Sequence, residues 1–553
     1  MIFTHDERIL ILGAGIMQGP ALRIAKEMGL KTAALDGDPR APCIDLADRF
    51  ECIDLKDKEG ITAFGRLLQA EGGLSGIMTA GTDFSPSVAY AAEKLGLPGI
   101  PYEAALNASD KERMRHCFKQ AGLPSPKFIV LRESPQPDLR LPFEYPVVVK
   151  PVDNMGGRGC RRVDSPSGLE GAVKDAVGFS RSGRVIVEEY MDGPEFSLDA
   201  VVYHGEVTLC GFADRHIYFP PFFIEMGHTI PSSLEDKVQA RVLEVFIAGI
   251  RALGITLGAA KGDLKLSSRG PMIGEIAARL SGGYMSGWTY PYASGVEPTR
   301  GAILAALGKK PDPLVPHRNW TSAERAFISI PGRIRSIRGL EKAETTPGVK
   351  DLFLRVKIGD RVRFPENNVG KCGNVISAAP SRETAVTTAE GAARSIGIRL
   401  DAPDQDTDAF LAGGLFPGET SPMAHIPPAF PVSPLILKCL SLLPEPEFPS
   451  GGTGDFYILP FPEFTESGIL DFMGRSVEAS LAMVRDLTGH SLPLGMEKDE
   501  GRIPLGRSFW SAFVRGGYQG GAYWVDRLGY ERIFPAGEFR GLRSPPPENR
   551  EEP

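Results

Sequence analysis

Apolar and polar residues alternate most regularly in residues 261–283, which read KGDLKLSSRGPMIGEIAARLSGG. The alternation along 263–266, and again along 272–276, predicts two β-strands. Serine, arginine, glycine and proline separate the two runs, and these residue types favour a hairpin turn. Pairing of the two strands would bring the carboxylates of Asp263 and Glu275 close together.

Two carboxylates on neighbouring strands suit Mg²⁺, a hard cation that takes a few protein oxygens and leaves other positions for water and phosphate. Lys265 and Arg279 add positive charge beside the acids, which favours a site that handles phosphate. Taken alone, the stretch is equally well explained by a hairpin whose acids are solvated on its outer face. Other parts of the chain have to decide between the two interpretations.

The first hundred residues alternate between strand and helix patterns, which predicts a small parallel sheet. Residues 8–36 read as strand, glycine turn, helix and strand. Gly13, Gly15 and Gly19 followed by Asp36 suggest a dinucleotide site, but the glycine spacing is GxGxxxG. Because this spacing departs from the dinucleotide fingerprint, it is weak support for NAD binding.

A lysine at a strand end, followed by a glycine loop, indicates phosphate binding in the next unit. The apolar strand that ends at Lys150 leads into the loop 154–160, NMGGRGC. The ammonium group supplies a point charge, and glycine backbone amides can approach phosphate oxygens closely. An ordinary hairpin turn beside a surface lysine is the alternative. Ahead of this strand, a helix is predicted with Ser109 as its N-cap and Gly122 at its end.

Two later stretches hold polar residues that suit ligand recognition. Residues 188–191, EEYM, form an extended segment of the kind whose backbone groups bind adenine, and Glu195 follows in position to meet ribose hydroxyls. The apolar stretch 221–234 contains Glu225 and His228. A lone histidine of this kind is more often structural than catalytic.

The order of these features resembles that of the ATP-grasp superfamily, in its carboxylate–amine ligase branch. The stretches KGDLKL, EIAARLSGG and PFFIEMGHTIPSSL are most similar to L-amino-acid ligases, the dipeptide-synthesising branch, and more distantly to biotin carboxylase and carbamoyl-phosphate synthase. The resemblance covers residues 8–395. It implies an α/β fold with an N-terminal parallel-sheet (pre-ATP-grasp) domain, an ATP-grasp domain and a small β-rich C-terminal subdomain. The features run in the order Lys111, Lys150, the glycine loop, EEYM, Glu195, Asp263 and Glu275.

The resemblance also implies a role for each residue. For ATP as cofactor, the implied contacts are Lys111, Lys150, Gly156, Gly157 and Gly159 to phosphates, Glu188, Glu189, Tyr190 and Met191 to adenine, and Glu195 to ribose. Asp263 and Glu275 would hold Mg²⁺, with Mn²⁺ as a substitute. The implied catalytic residues are Arg279, Lys150 and Lys265, and the implied substrate residues are Glu225, His228, Arg279, Gly282 and Gly283. One departure concerns Ala277, where many relatives carry an asparagine that can add to the metal ligands.

The activity implied is ATP-dependent ligation of a carboxylate to an amine through an acyl phosphate, with release of ADP and phosphate. One of the small-molecule substrates is expected to be an amino acid. Two alternatives stay open. The first is a bicarbonate-activating enzyme of the biotin-carboxylase or carbamoyl-phosphate type, and the second is an ATP-binding regulator without catalysis.

Composition narrows the class of protein. The chain has 553 residues, 24% of them charged, and a net charge of -7, which argues against nucleic acid as a partner. Seven scattered cysteines do not fit a zinc site or a disulfide framework. No stretch is apolar enough for a membrane span or a signal peptide. We therefore expect a cytoplasmic protein with small-molecule partners, acting as a homodimer.

The C-terminal quarter has a different composition and matches no pattern above. Residues 402–410 read as a polar linker, and 476–490 as an amphipathic helix. Trp510 and Trp524 lie among glycines, and we expect a small core or a dimer contact there more readily than a stacking surface. The predicted domains are 1–106, 107–318, 319–400, an additional α+β module at 401–543, and a disordered tail at 544–553.

Overall fold

The computed structural model describes residues 7–132, 139–416, 423–446, 455–495 and 502–533. The predicted disordered tail at 544–553 lies outside the described residues.

The N-terminal unit is a four-stranded parallel sheet in the order β3-β2-β1-β4, with helices packed on it. Strands β1, β2 and β4 are buried on both faces, as parallel strands covered by helices must be, whereas the edge strand β3 is partly exposed. The carboxylate of Asp36 accepts a hydrogen bond from the backbone N–H of Ala14 (2.8 Å), so this acid holds its own glycine turn. The elements are β1 (Arg8–Leu12), α1 (Gly19–Glu27), β2 (Lys31–Asp36), β3 (Arg49–Cys52), α2 (Lys58–Ala70), β4 (Gly76–Thr79), α3 (Ser85–Leu95) and α4 (Tyr102–Ser109).

A small antiparallel sheet follows, in the order β5-β8-β6-β7, with the glycine loop between β6 and β7. The predicted N-cap of its first helix is wrong by one residue. Ser109 ends the preceding helix, and the side chain of Asp110 caps the new helix by accepting from the N–H of Arg113. The elements are α5 (Lys111–Gln120), β5 (Phe128–Leu131), β6 (Val147–Pro151), β7 (Arg161–Val163), α6 (Leu169–Phe179) and β8 (Val185–Glu189).

The central sheet has eight strands, and its first five come from the segment that contains the predicted acids. The hairpin prediction is confirmed, because β12 and β13 pair antiparallel with Asp263 opposite Glu275. A bulge follows Asp263. The elements of this segment are β9 (Glu195–Tyr203), β10 (Glu206–Tyr218), β11 (Ile224–Ile230), α7 (Asp236–Leu253), β12 (Gly258–Ser267), β13 (Gly270–Ala277), a π-helical turn (Met285–Thr289), α8 (Tyr290–Ser294) and α9 (Pro298–Ala306).

The remaining three strands of this sheet come from the next segment, and the full order is β13-β12-β9-β10-β11-β14-β18-β16. The sheet is therefore continuous across the predicted boundary at 318, and the domain limits stay predictions. A separate three-stranded sheet has the order β17-β15-β19. The elements are β14 (Thr321–Phe327), β15 (Gly332–Arg338), α10 (Leu340–Glu344), β16 (Val349–Leu354), β17 (Arg361–Val362), β18 (Gly373–Ala379), α11 (Arg382–Ser395) and β19 (Gly397–Leu400).

The C-terminal segment is mainly helical, and the predicted linker at 402–410 is wrong. Asp404 caps a helix there, and Phe410 is fully buried in a core shared with β15, β18 and β19. None of the described helices is both long and apolar enough to cross a membrane. The elements are α12 (Gln405–Leu411), α13 (Pro434–Leu442), β20 (Phe456–Ile458), α14 (Pro462–Thr465), α15 (Val477–Thr488), β21 (Ile503–Leu505) and α16 (Arg507–Ile533), the last interrupted at Gly517.

Trp510 is the largest fully buried side chain in this segment, so the expectation of a small core is confirmed. Its indole N–H donates to the carbonyl of Leu459 (2.9 Å), and its ring packs edge-on against Phe461, Phe464 and Phe513.

Trp510→Ala should lower the free energy of unfolding of the C-terminal segment by about 3–5 kcal/mol, because the cavity cannot refill. Denaturant unfolding followed by tryptophan fluorescence and circular dichroism measures this loss. Leu435→Ala is the control, since Leu435 lies in the same segment and is 67% exposed. We expect a change within about 0.5 kcal/mol for that control. Equal losses in the two variants would contradict the assignment of Trp510 to the core.

Candidate active site

A cleft of about 670 Å³ opens where the carboxyl end of the parallel sheet, the glycine loop and the β12–β13 hairpin meet. Eleven basic and seven acidic residues line it, although the chain as a whole carries a net charge of -7. The excess of positive charge in a concave site favours an anionic ligand. The predicted site residues that line the cleft are Lys111, Lys150, Gly156, Gly157, Glu188, Glu189, Tyr190, Met191, Glu195, Glu225, Asp263, Lys265, Glu275, Arg279, Gly282 and Gly283.

Two predicted site residues do not line this cleft. The Cβ direction of Gly159 faces Phe179 and Ala176, so this glycine packs the loop against α6. His228 is fully buried behind the cleft wall, and its Nδ1 hydrogen-bonds a carboxylate oxygen of Glu324 (2.9 Å).

Buried charges anchor the two predicted phosphate-binding lysines. Lys150 and Arg115 both pair with Glu188, each at 2.7 Å, and Glu188 is 2% exposed. Burial favours the neutral acid, but the two cations outweigh it and hold the pKa of Glu188 below its usual range. Lys111 donates to the carbonyl of Asn154 (2.8 Å) in the glycine loop, and its Nζ lies 3.7 Å from Glu275.

The EEYM segment extends from Glu188, the partner of Lys150, to Met191, which lies beside Lys265. The amino group of Lys265 donates to the carbonyl of Met191 (3.1 Å), lies 3.8 Å from Glu195 and sits over the ring of Tyr190 at 5.2 Å. The contacts of Lys265 are therefore with the EEYM segment and with Glu195. Glu188 directs its carboxylate to Lys150, whereas Glu189 pairs with Arg269 (3.1 Å).

The two acids of the hairpin both face the cleft. Asp263 accepts a hydrogen bond from the hydroxyl of Ser197 (2.9 Å) and pairs with Lys261 and with Arg215 (3.1 Å). Burial raises the pKa of both acids, yet nearby cations outweigh it and hold each pKa below its usual range: Arg215 and Lys261 at Asp263, and Lys111 and Lys150 at Glu275.

This donor set fits Mg²⁺. The two neighbouring carboxylates supply hard oxygen ligands, and the open cleft leaves the remaining positions to water and phosphate. Among the described residues, no group of three or more acids, histidines or cysteines is arranged to hold a metal. A metal ion held there would have two protein carboxylates as ligands and other positions open to water or phosphate.

Arg215 is the main site residue that sequence reasoning missed. Its buried guanidinium pairs with three carboxylates of the cleft: Glu195, Glu225 (2.8 Å) and Asp263 (3.1 Å). The one signal in the sequence is a charged residue within the long strand β10. Its three partners lie on three other strands, so only the folded sheet reveals the network.

Arg279 is a partly buried cation of the cleft whose hydrogen bonds go to carbonyl groups. Its guanidinium donates to the carbonyls of Thr82 (2.8 Å) and Leu280 (3.1 Å), and no acid of the described chain forms an ion pair with it. The turn after Arg279 is fixed by Asp199, which accepts hydrogen bonds from the N–H (3.1 Å) and hydroxyl of Ser281. Burial raises the pKa of Asp199 to about 6.

Glu225 presents its side chain to the same region of the cleft. Burial would favour the neutral acid, but His228, Arg215 and Lys371 hold the pKa of Glu225 well below its usual range. Burial likewise opposes charge on His228, and Glu225 and Glu324 overcome it and raise the histidine pKa. Glu225 is therefore an ionised acid, with His228 behind it (3.5 Å).

Comparison with known proteins identifies this arrangement. Residues 143–287 match the sequence model of the ATP-grasp domain, and residues 326–401 match that of L-amino acid ligase C-terminal domain 2. The chain therefore contains an ATP-grasp domain. Proteins similar to it include a carnosine synthase and an L-amino acid ligase.

Two curated relatives align with more than half of this chain. An uncharacterized protein of Sinorhizobium fredii, y4rH, is 25% identical over 379 residues, which cover 67% of this chain and 78% of that protein. Carnosine synthase 1 of Gallus gallus is 26% identical over 334 residues, which cover 56% of this chain. The aligned region spans 36% of that synthase, so the chain corresponds to about a third of its length.

A solved structure confirms the ATP-grasp fold. The L-amino acid ligase of Bacillus licheniformis aligns with a TM-score of 0.63 and 24% identity, over 72% of this chain and all of that one. The predicted superfamily, the α/β fold class and the membership among ATP-grasp ligases are thus confirmed. Both sequence models end by residue 401, so neither covers the C-terminal segment.

Glu188→Gln should destabilise the ATP-grasp domain by about 3–5 kcal/mol, because Arg115 and Lys150 lose their buried counter-charge. The pKa of Glu188 is lowered in the folded state, so its stabilisation is present above the unfolded pKa of about 4.3 and is lost as the pH falls through the folded value. Thermal unfolding between pH 3 and pH 7 should therefore show a smaller acid-induced loss in the variant.

Glu189→Gln is the matched control for that experiment, since Glu189 adjoins Glu188 and pairs with the half-exposed Arg269. We expect a change of less than about 1 kcal/mol. A Glu188→Gln protein as stable as the control at pH 7 would contradict a charge network centred on Glu188.

Proposed function

We propose that this protein is an ATP-dependent carboxylate–amine ligase that joins an amino acid to a second small molecule. The observation that carries the proposal is Arg279, a partly buried cation that forms no ion pair with an acid of the described chain. It lies in the same cleft as Lys111, Lys150 and the two hairpin acids. An arginine held only by carbonyl groups keeps its charge available for an anionic reactant.

In the proposed reaction, a carboxylate oxygen of one substrate displaces ADP from the γ-phosphorus of ATP. The amine of the second substrate then attacks the acyl carbon, phosphate departs, and the ammonium proton is lost to solvent or phosphate. A free carboxylate is a poor acyl donor. Once it has been phosphorylated, one of its oxygens can leave as phosphate. The protein's contribution is mainly positioning and stabilisation of charge.

We assign the cations of the cleft to different groups of the reactants. We assign Lys111 and Lys150 to the phosphates of ATP, because both are anchored beside the glycine loop. We assign Arg279 to the transferring phosphoryl group and the acyl phosphate. Asp263 and Glu275 would hold Mg²⁺, which supplies neutralisation of the β- and γ-phosphate oxygens when bound.

The nucleoside end of ATP is assigned to the opposite end of the cleft. The backbone of the EEYM segment would meet adenine, and Glu195 the ribose hydroxyls. Lys265, which lies between Met191 and Glu195, is assigned to this end as a residue that positions both. This modifies its expected role as a catalytic cation beside the hairpin acids.

An amino acid is favoured as substrate by the charges around Glu225. The ionised Glu225 suits a substrate ammonium group, while Arg279 suits the carboxylate or its phosphorylated form. Gly282 and Gly283 line the cleft as well, and a Cβ at Gly283 would meet the carboxylate of Glu225 at 2.9 Å. The identity of the amine substrate, the homodimer, the cytoplasmic location and the domain limits stay predictions.

The test is ADP and phosphate release by the full chain with ATP and Mg²⁺, against amino acids singly and in pairs, with mass spectrometry of the products. We expect one pair to drive release and to give a product equal in mass to the two reactants minus water. Release driven by bicarbonate without an amine would instead identify a bicarbonate-activating enzyme. Nucleotide binding without turnover under every condition would favour the regulator.

Glu275→Gln should lower kcat by at least about 100-fold, because a neutral amide is a poor ligand for Mg²⁺. Steady-state ADP release measures this effect. Glu206→Gln is the control, because Glu206 is an exposed acid of β10 outside the cleft, and its kcat should be unchanged. ATP turnover that survives Glu275→Gln would disprove the metal assignment.

A further inference from the structure

The loop 366–371 lies between β17 and β18. It contacts two parts of the cleft that are far apart in the sequence. Asn368, near its middle, lines the cleft and makes three hydrogen bonds through three different groups. Its backbone N–H, its side-chain oxygen and its carbonyl each contact a different segment.

The first hydrogen bond is to the glycine loop. The N–H of Asn368 donates to the carbonyl of Gly156 (2.9 Å). The neighbouring Gly157 packs against the same loop, since a Cβ there would meet the backbone of Asn367 and Asn368 within 4 Å. Both glycines have φ near +70°, a conformation that glycine adopts without strain. The position of the glycine loop is therefore tied to that of Asn368.

The second hydrogen bond is to the substrate-binding acid. The Oδ1 of Asn368 accepts from the backbone N–H of Glu225 (2.8 Å). Lys371, in the same loop, donates to the carbonyl of Glu225 (2.8 Å). The loop thus holds the peptide groups on both sides of the Glu225 side chain.

The third hydrogen bond restrains the loop itself. Arg355 donates to the carbonyl of Asn368 (3.3 Å). Asn368 therefore contacts the glycine loop and the strand of Glu225 at the same time.

We propose that Asn368 is a positioning residue that couples closure of the glycine loop over a nucleotide to the ordering of Glu225. Binding at the first site then favours the geometry of the second, because both sites bias the same element. The inference rests on the proposed nucleotide site, and it adds that a bound nucleotide further stabilises the position of Glu225.

Asn368→Ala cuts this connection at a defined bond. The variant keeps the backbone N–H that bonds Gly156 and loses only the oxygen that bonds Glu225. Asn367→Ala is the matched control, because it removes an amide oxygen from the same loop without a contact to Glu225.

The experiment is hydrogen–deuterium exchange of the full chain, followed by mass spectrometry, with and without the non-hydrolysable ATP analogue AMP-PNP and Mg²⁺. In the wild type we expect protection of peptides that cover 154–160 and 224–230, with the Glu225 amide exchanging about fivefold more slowly, the effect of one hydrogen bond. In Asn368→Ala the protection at 154–160 should persist and that at Glu225 should disappear. Asn367→Ala should behave as the wild type.

The outcomes separate this inference from the proposed function. Nucleotide-dependent protection of Glu225 that persists in Asn368→Ala would overturn the coupling, and so would its absence from the wild type. Either result leaves ligase turnover intact as a separate observation. Failure of AMP-PNP to protect 154–160 in the wild type would overturn the nucleotide site and the coupling with it. A purely structural role would change exchange equally with and without nucleotide.

Discussion

The register of strand β12 is the constraint on which the site depends. β12 pairs with β9 on one side and β13 on the other, and this places Asp263 between Ser197 and Glu275. Side chains alternate between the faces of a sheet, so a slip of one residue would move both acids out of the cleft and bring apolar side chains into it. The core beneath the hairpin, which includes Leu264, Ile273 and Ile276, opposes such a slip because these residues are fully buried. Packing of apolar side chains on one face of the sheet thus fixes the positions of the two acids on the other face.

Charge compensation is the second requirement of this cleft. Several carboxylates are buried together, which would be unfavourable without cations at short range. Arg215 compensates the negative charges of Glu195, Glu225 and Asp263. Glu188 compensates the positive charges of Lys150 and Arg115. These networks hold the pKa values of Glu188, Glu225 and Asp263 below their usual ranges. Preorganised charges of this kind need little rearrangement when a phosphoryl group moves, which is the property that electrostatic stabilisation requires.

Local patterns in the sequence predicted what depends on local structure. The alternation of apolar and polar residues predicted the hairpin and its two acids. Lys150 lies at the end of its strand, before the glycine loop, as expected. The polar linker failed because Asp404 acts as an N-cap and Phe410 supplies the buried anchor, features that a polar composition conceals. Arg215 and Asn368 were missed for a different reason. Their partners come from segments distant in sequence, and no single-chain pattern records such contacts.

The C-terminal segment packs against the loop that carries Asn368. Glu366, two residues before it, pairs with His425 (3.1 Å), and that hydrogen bond lowers the pKa of Glu366. Just before the loop, Phe364 packs edge-on against Phe472 of the C-terminal segment and against Phe219, which precedes the strand of Glu225. Such aromatic contacts are each worth about 1 kcal/mol beyond their burial. The loop therefore has the C-terminal segment on one side and the glycine loop on the other.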